Sequence, residues 1–414
     1  VESLQRIIQN WTRLLAPQRL PCAAGLIALG GVLLSGFACG AVRLAEAADA
    51  DHNGTGGYHV EQVAVGLDHA WGMAFVPDTA WLLVTERPGR LSLIDRNTGE
   101  RLGLEGVPRV HAQRQGGLLD VALHPEYPAQ PWVYLTYAVS TDARTSTTRL
   151  ARAVLDLDAG RLEQLTVLHD AQPSVNSDGH FGSRLAFDAE SRVYFSVGDR
   201  NSKAFGPHHD AQNLGNDLGA ILRLTDEGGV PADNPFIDDP GASPVVYSYG
   251  HRNPQGLAFH PLTGELWSHE HGERNGDEIN VIRAGGNYGW PIATYGVGYL
   301  TGRPFAVTPP ENPATVNPVF HWGPDHPEGF PPSGLAFYVG EAFPEWEGNL
   351  LMGNLRHRYL GRFTVDGHRV QPAGRLLDGR GWRIRDVAVA PDTGHIYVLV
   401  DDTAAPLLRL TPLH

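Results

Sequence analysis

The stretch GLAFHPLTGELWSHEHG, Gly256 to Gly272, decides how the chain folds. It holds a short apolar strand, a turn carrying Pro and Gly, and a second strand, which together make a β-hairpin. The same grammar returns in GMAFVPDTAWLLVTERPGRLSLID from Gly72, GLLDVALHPEYPAQPWVYLTYA from Gly117 and SRLAFDAESRVYFSVGDR from Ser183. It closes the chain in GLAFYVGEAFPEWEGNLLMGNL from Gly334 and DVAVAPDTGHIYVLVDD from Asp386. These hairpins are spaced at or above the roughly 40–50 residues of one blade, which predicts an all-β fold, a six-bladed β-propeller of four-stranded antiparallel blades. A single blade cannot bury both faces, so blades stack radially and their loops converge at one end of a central channel, where a site is expected. Long insertions after Arg200, Asp226 and Trp290 are expected as loops on that end.

Upstream of the first hairpin the chain changes character. RLPCAAGLIALGGVLLSGFACGAVRLAEAADA carries a basic flank at Arg19, an apolar run over 20–42, and small-residue cleavage options at Ala45-Glu46-Ala47 and Ala48-Asp49-Ala50. Residues 1–50 therefore read as an export signal or, since the run is long enough to span a bilayer, an N-terminal anchor. Residues 51–57 form a polar linker, and 58–414 the propeller. The body is expected outside the cytoplasm, periplasmic or secreted, and held at a membrane only if 20–42 stays as an anchor. The 2 cysteines, Cys22 and Cys39, both fall in the leader, so the propeller has no disulfide framework.

The 414 residues are 42% hydrophobic and 19% charged, enough to bury a sizeable core. A net charge of -14 argues against a nucleic-acid backbone or an anionic membrane surface as partner and favours small ligands. The phosphate-cradling G-x-x-x-x-G-K-[ST] loop, the dinucleotide G-x-G-x-x-G turn, the G-x-S-x-G elbow and C-x-x-C are all absent.

What remains is a set of polar residues at blade starts. RQGGLLD puts Gln115 before a strand, SYGHRNPQGL puts Arg252 and Asn253 before another, and GWRIRDVAV puts Arg383 and Arg385 before the last. Strand side chains alternate faces, so Arg383 and Arg385 project the same way and call for anions, a bound polycarboxylate above all. His180 stands at an equivalent start, and the hairpin after it can return Asp199 to its side, the usual arrangement of a general base and its orienting carboxylate. His269 and His271 share a strand face, but no third imidazole or cysteine is suitably spaced, so a transition metal is not expected. Backbone carbonyls around Gly272, with Asp277, Glu278 and the GGNYGWP turn, suit Ca²⁺ better.

Taken in order, GHFGSRLAFD, YGHRNPQGLAF, EHGERNGDEINVI, GGNYGWP and RIRDVAVAPD resemble the glucose/sorbosone dehydrogenase family, the soluble quinoprotein aldose sugar dehydrogenases, over essentially all of 58–414. The resemblance implies a six-bladed propeller with pyrroloquinoline quinone (PQQ) and Ca²⁺ at the channel mouth. It implies that His180 is the base for the anomeric hydroxyl, with Asp199 as its partner and Gln115 beside them. Arg252 and Asn253 resemble the pair at the reactive quinone carbonyl, and Arg383 and Arg385 the pair on the quinone's carboxylates. Arg356 falls where the family often has a lysine on the cofactor. The backbone carbonyls of Gly272 and Glu273 map to the catalytic Ca²⁺, with Glu273 replacing the usual proline. A further structural Ca²⁺ is implied at Glu278 and the carbonyl of Tyr288.

The implied reaction is oxidation of an aldose to its lactone. Its partners are then a small sugar and an electron acceptor, a respiratory quinone, cytochrome or dye, with no nucleic acid and a monomeric or homodimeric protein. Substrate contacts are expected from Tyr295 to Pro310 and His321 to Pro332, with Trp322 either a sugar platform or blade packing. A Ca²⁺-dependent lactonase and a non-catalytic binding propeller are the alternatives; the first has no reason to collect Arg252, Arg356, Arg383 and Arg385 around one channel, and the second has no need of His180 with Asp199.

Overall fold

A computed structural model describes residues 47–50 and 57–413, apart from positions 324 and 327. The expectations for the leader and linker, including Cys22, Cys39 and the run over 20–42, fall on 1–46 and 51–56 and lie outside the described residues. Among the described residues no helix is long and apolar enough to cross a membrane.

The six repeated hairpins are the first two strands of six antiparallel sheets. In blades 1 to 3 these are Ala70–Phe75 with Trp81–Glu86, Leu118–Leu123 with Trp132–Ser140, and Leu185–Phe187 with Val193–Val197. In blades 4 to 6 they are Pro254–Phe259 with Leu266–Glu270, Pro332–Phe337 with Leu350–Asn354, and Ile384–Val389 with Ile396–Val400. The first strands touch in sequence around the ring, closing where Ile384–Val389 meets Ala70–Phe75. Blade 6 takes its fourth strand, Gly57–Leu67, from the start of the propeller, pairing Tyr58 with Pro412 and Leu67 with Ala405. Ala47–Ala50 adds a fifth strand at that edge.

Period-two alternation gives each blade two apolar faces, and these meet between neighbours. Leu93, Val121 and Leu135 join blades 1 and 2, and Trp267, Phe330 and Leu350 join blades 4 and 5. Each such fully buried side chain contributes about 1.5–3 kcal/mol. One expected loop lies elsewhere. The strand Ala220–Leu224 pairs Ala220 with Val197, near Asp199, and Leu224 with Val193 at the far end. The insertion after Asp226 therefore leaves on the face opposite the site.

Buried Arg184 plugs the channel. Its guanidinium lies 2.9 Å from Asp386 and 3.3 Å from Asp120, donates to the carbonyls of Gln255 and Arg385, and stacks over Trp71 at 4.1 Å. Burial pushes the Asp386 carboxyl up to about 7, with Arg184 opposing and Asp120 reinforcing that rise.

Candidate active site

Above Arg184 lies a cleft that opens to solvent. Two recurrent blade positions feed it, each used by only some of the blades. The approach to the first strand brings Trp71, Gln115, Gly182, Asn253 and Arg383, and the residue just past the second strand brings Arg87, His271 and Leu355. Gly182 is required at its place: φ is 65° and a Cβ would meet the Ser196 carbonyl oxygen at 2.7 Å.

His180 and Asp199 meet as their hairpin dictates. His180 Nδ1 lies 2.6 Å from Asp199 Oδ1, so Nδ1–H donates and Nε2 is left as the ring's acceptor. Gln115 Oε1 accepts the His180 backbone N–H at 2.8 Å and fixes the loop. His180 takes φ 49°, a left-handed conformation that costs a non-glycine residue about 1–3 kcal/mol. Asp199 Oδ1 also accepts from Asn201 N, and Oδ2 from Trp290 Nε1, both at 2.8 Å. Burial and the Arg252 charge lower the His180 pKa, with Asp199 opposing them. Burial alone would raise Asp199, but His180 and Arg252 hold it below the usual carboxylate range. The pair is a buried, neutral imidazole on an ionised carboxylate.

Arg252 and Asn253 arrive beside it. The Arg252 carbonyl accepts the Asp199 N–H at 2.7 Å, its guanidinium lies 5.1 Å from the Trp290 ring, and Asn253 Oδ1 accepts from Gly182 N at 3.2 Å. The Glu273 side chain is committed elsewhere than a metal: Oε2 lies 2.6 Å from Arg252 Nη2, and both oxygens lie 2.9 Å from Lys203 Nζ.

Across the cleft, Arg383 and Arg385 share Asp401. Arg383 Nε lies 3.0 Å from Asp401 Oδ2, Arg385 Nη2 bonds the same oxygen, and His69 Nδ1 lies 2.8 Å from Oδ1. Burial lowers the Arg385 pKa, Asp401 opposes this and Arg383 adds to it. Arg87 stands on the same wall, and the Nε atoms of Arg87 and Arg385 are buried without a partner.

The other residues singled out from the sequence have these places. Arg356 is exposed on the turn after Leu350–Asn354, and its neighbour Leu355 lines the cleft instead. His269 and His271 do share a face, but their Nε2 atoms donate to the carbonyls of Gly334 and Pro332 in blade 5, at 2.8 and 2.7 Å. Trp322 is core, stacked on Phe330 at 4.6 Å. Gly272, Glu278 and Tyr288 do converge, with Glu270, on a small second pocket beside Arg252. Asp277 accepts the N–H groups of Gly272 and Phe330 there, at 3.0 and 2.9 Å. Burial, with Glu270 and Asp277 close by, pushes the Glu278 carboxyl well up.

Sequence reasoning missed Arg87, Gln255, Asp401, His69, Trp290, Lys203 and His209. The usable signal was a charged residue immediately after a blade's second strand, as in TER at Arg87, VGD at Asp199 and LVD at Asp401.

The chain is similar over most of its length to known proteins. The aldose sugar dehydrogenase YliI of Escherichia coli K12 is 39% identical over 355 residues, covering 86% of this chain and 93% of that protein. The apo crystal structure of the soluble aldose sugar dehydrogenase from Escherichia coli superposes with a TM-score of 0.79 at 37% identity, covering 86% of this chain and all (100%) of that one. The PQQ-bound aldose sugar dehydrogenase of Streptomyces coelicolor gives 0.68 at 29% identity, covering 87% and 99%. The sequence profile of the Glucose / Sorbosone dehydrogenase family spans residues 67–409, and the chain belongs to that family.

Proposed function

We propose that this protein is a PQQ- and Ca²⁺-dependent aldose sugar dehydrogenase that oxidises the anomeric carbon to a lactone. The observation that carries the reading is a buried imidazole, His180, on the loop that lines the cleft through Phe181 and Gly182, together with the cation-rich wall of the same cleft. The PQQ-bound relative supports the cofactor, and the wall suits it. Two arginine Nε atoms are buried there without partners, and Arg87, Arg383 and Arg385 outnumber Asp401, as a flat polycarboxylate requires. The pocket of Glu278, Glu270 and the Tyr288 loop is the proposed seat of a further hard cation, since two buried carboxylates crowd it with Arg252 as its cationic neighbour. The carbonyls of Gly272 and Glu273 are the proposed holders of a catalytic Ca²⁺.

When bound, the quinone supplies the acceptor for the hydride that leaves C1 with its electron pair, and Ca²⁺ polarises the acceptor carbonyl. The chain does the rest. His180 Nε2 takes the proton of the anomeric hydroxyl, and Asp199 stabilises the imidazolium that forms. Arg252 and Asn253 present donors to developing negative charge, a task suited to a water-poor site. Gln115 holds the His180 loop, while Arg383 and Arg385, with Arg87, seat carboxylates. Arg356 is a weaker candidate for that seat, since it is exposed on its turn. A lactonase or a binding propeller has no use for that wall.

The electron acceptor is proposed to work from the same open mouth. Titrating the cofactor-free protein with PQQ, with and without Ca²⁺, tests the cofactor reading. We expect binding that needs Ca²⁺ for aldose-dependent dye reduction; a protein that folds but binds no quinone would contradict it.

A further inference from the structure

Asp199 stands between two imidazoles. His180 Nδ1 lies 2.6 Å from Oδ1, and His209 Nε2 lies 3.8 Å from Oδ2. His209 comes from the insertion after Arg200, is 1% exposed, and packs edge-on to the Trp290 ring at 6.2 Å. Its Nδ1 accepts the Ala211 N–H at 3.1 Å and so caps the short turn Asp210–Gln212. A ring nitrogen that accepts carries no proton, so the neutral ring bears its hydrogen on Nε2. That buried Nε2 has no hydrogen-bond partner, and the Asp199 carboxylate is the acid within ion-pair range.

A carboxylate offers about four acceptor positions. Three on Asp199 are taken by His180 Nδ1, Asn201 N and Trp290 Nε1. We infer that His209 is a positioning residue for this pair: its Nε2–H, 3.8 Å from Asp199 Oδ2 and outside hydrogen-bond range, acts on that carboxylate as a nearby dipole and limits how strongly it draws a proton onto His180. Each donor on Asp199 takes up negative charge that otherwise stabilises the imidazolium. A base must be neutral to accept, so weakening this pull keeps His180 in its working form at lower pH. The other groups that act on His180 are Arg252 and Lys203, which Glu273 ties together, and the buried His271 ring; they leave Asp199 Oδ2 to Trp290 and His209. The inference rests on His180 as the base, but its geometry does not depend on any bound group.

Two substitutions separate the donor from the cap. His209→Asn keeps an acceptor for Ala211 N but is too short to bring a donor to Asp199. His209→Gln carries an N–H to that depth. The measurement is the titration of the His180 ring by NMR in the full, cofactor-free chain, with the signal assigned by its loss in His180→Gln. We expect His209→Asn to raise the His180 titration point by roughly 0.3–0.5 pH unit, less than the loss of a full hydrogen bond to Asp199 would give. His209→Gln should keep the wild-type value. An unmoved or lowered point in His209→Asn, or the same shift in both variants, would overturn the inference. Aldose oxidation that survives His180→Ala would instead sink the base assignment and leave the titration result standing.

Discussion

The two walls of the cleft use the same blade positions for opposite ends. On the blade 3 and 4 side, Asp199 receives three N–H groups and Arg252 is matched by Glu273, which leaves Arg252 Nε and His209 Nε2 as buried donors without partners and His180 Nε2 as an acceptor. On the blade 6 and 1 side, Arg87, Arg383 and Arg385 face one Asp401 and keep unsatisfied donors. On the proposed reading the first wall, with its charges paired, moves a proton, and the second, with cations in excess, holds an anion. The propeller supplies only the addresses, and the residue at each address decides the chemistry.

If the walls divide the work in this way, substitutions should separate rate from affinity. His180→Ala should lower kcat by ~10²–10⁴ while quinone affinity stays unchanged, as steady-state rates and a binding titration would show. Arg385→Met should do the reverse, weakening quinone binding by roughly 10–100-fold through a lost charged hydrogen bond, with kcat recovered at saturating cofactor. Equal losses of rate and affinity in both variants would erase the distinction.

A histidine outside both walls provides a control. Burial lowers His269 to about 3. Unfolded, the same ring takes up a proton below pH ~6.5, so stability is lost as pH falls from there toward 3, at about 1.4 kcal/mol per pH unit. Asp277 and Asp386, raised to about 6 and 7, act with the opposite sign in both proteins and cancel from the comparison. Urea unfolding of His269→Gln should therefore weaken less steeply between pH 6.5 and 4 than the parent, with kcat untouched. The smallest effect belongs to Lys203, half-exposed and one of the charges that lower His180. Lys203→Met should move the acid limb of kcat/KM upward by about 0.2 pH unit, less at high salt.

The fold was legible because a hairpin repeat needs only local turns and alternating faces, and radial closure follows from the need to bury both faces. His180 with Asp199 was legible for the same reason, since one hairpin joins them. Arg383 and Arg385 were found at their strand start, but their partner Asp401 sits after the next strand in LVDD, where it resembles ordinary turn chemistry. Trp290 and His209 were not legible. They come from insertions whose path carries no period, and tertiary packing alone brings them to Asp199. Trp322 was ambiguous because an aromatic before a loop packs between blades as readily as it faces a sugar.

The most direct measurement is a single-turnover experiment on protein loaded with PQQ and Ca²⁺, following the cofactor's absorbance after mixing with an aldose. We expect wild-type protein to be reduced by sugar and His180→Ala, still carrying the quinone, to be slower by ~100-fold or more. Reduction of the two proteins at equal rates, or a loaded wild type that no aldose reduces, would contradict the division of the cleft into a proton-moving wall and an anion-holding one.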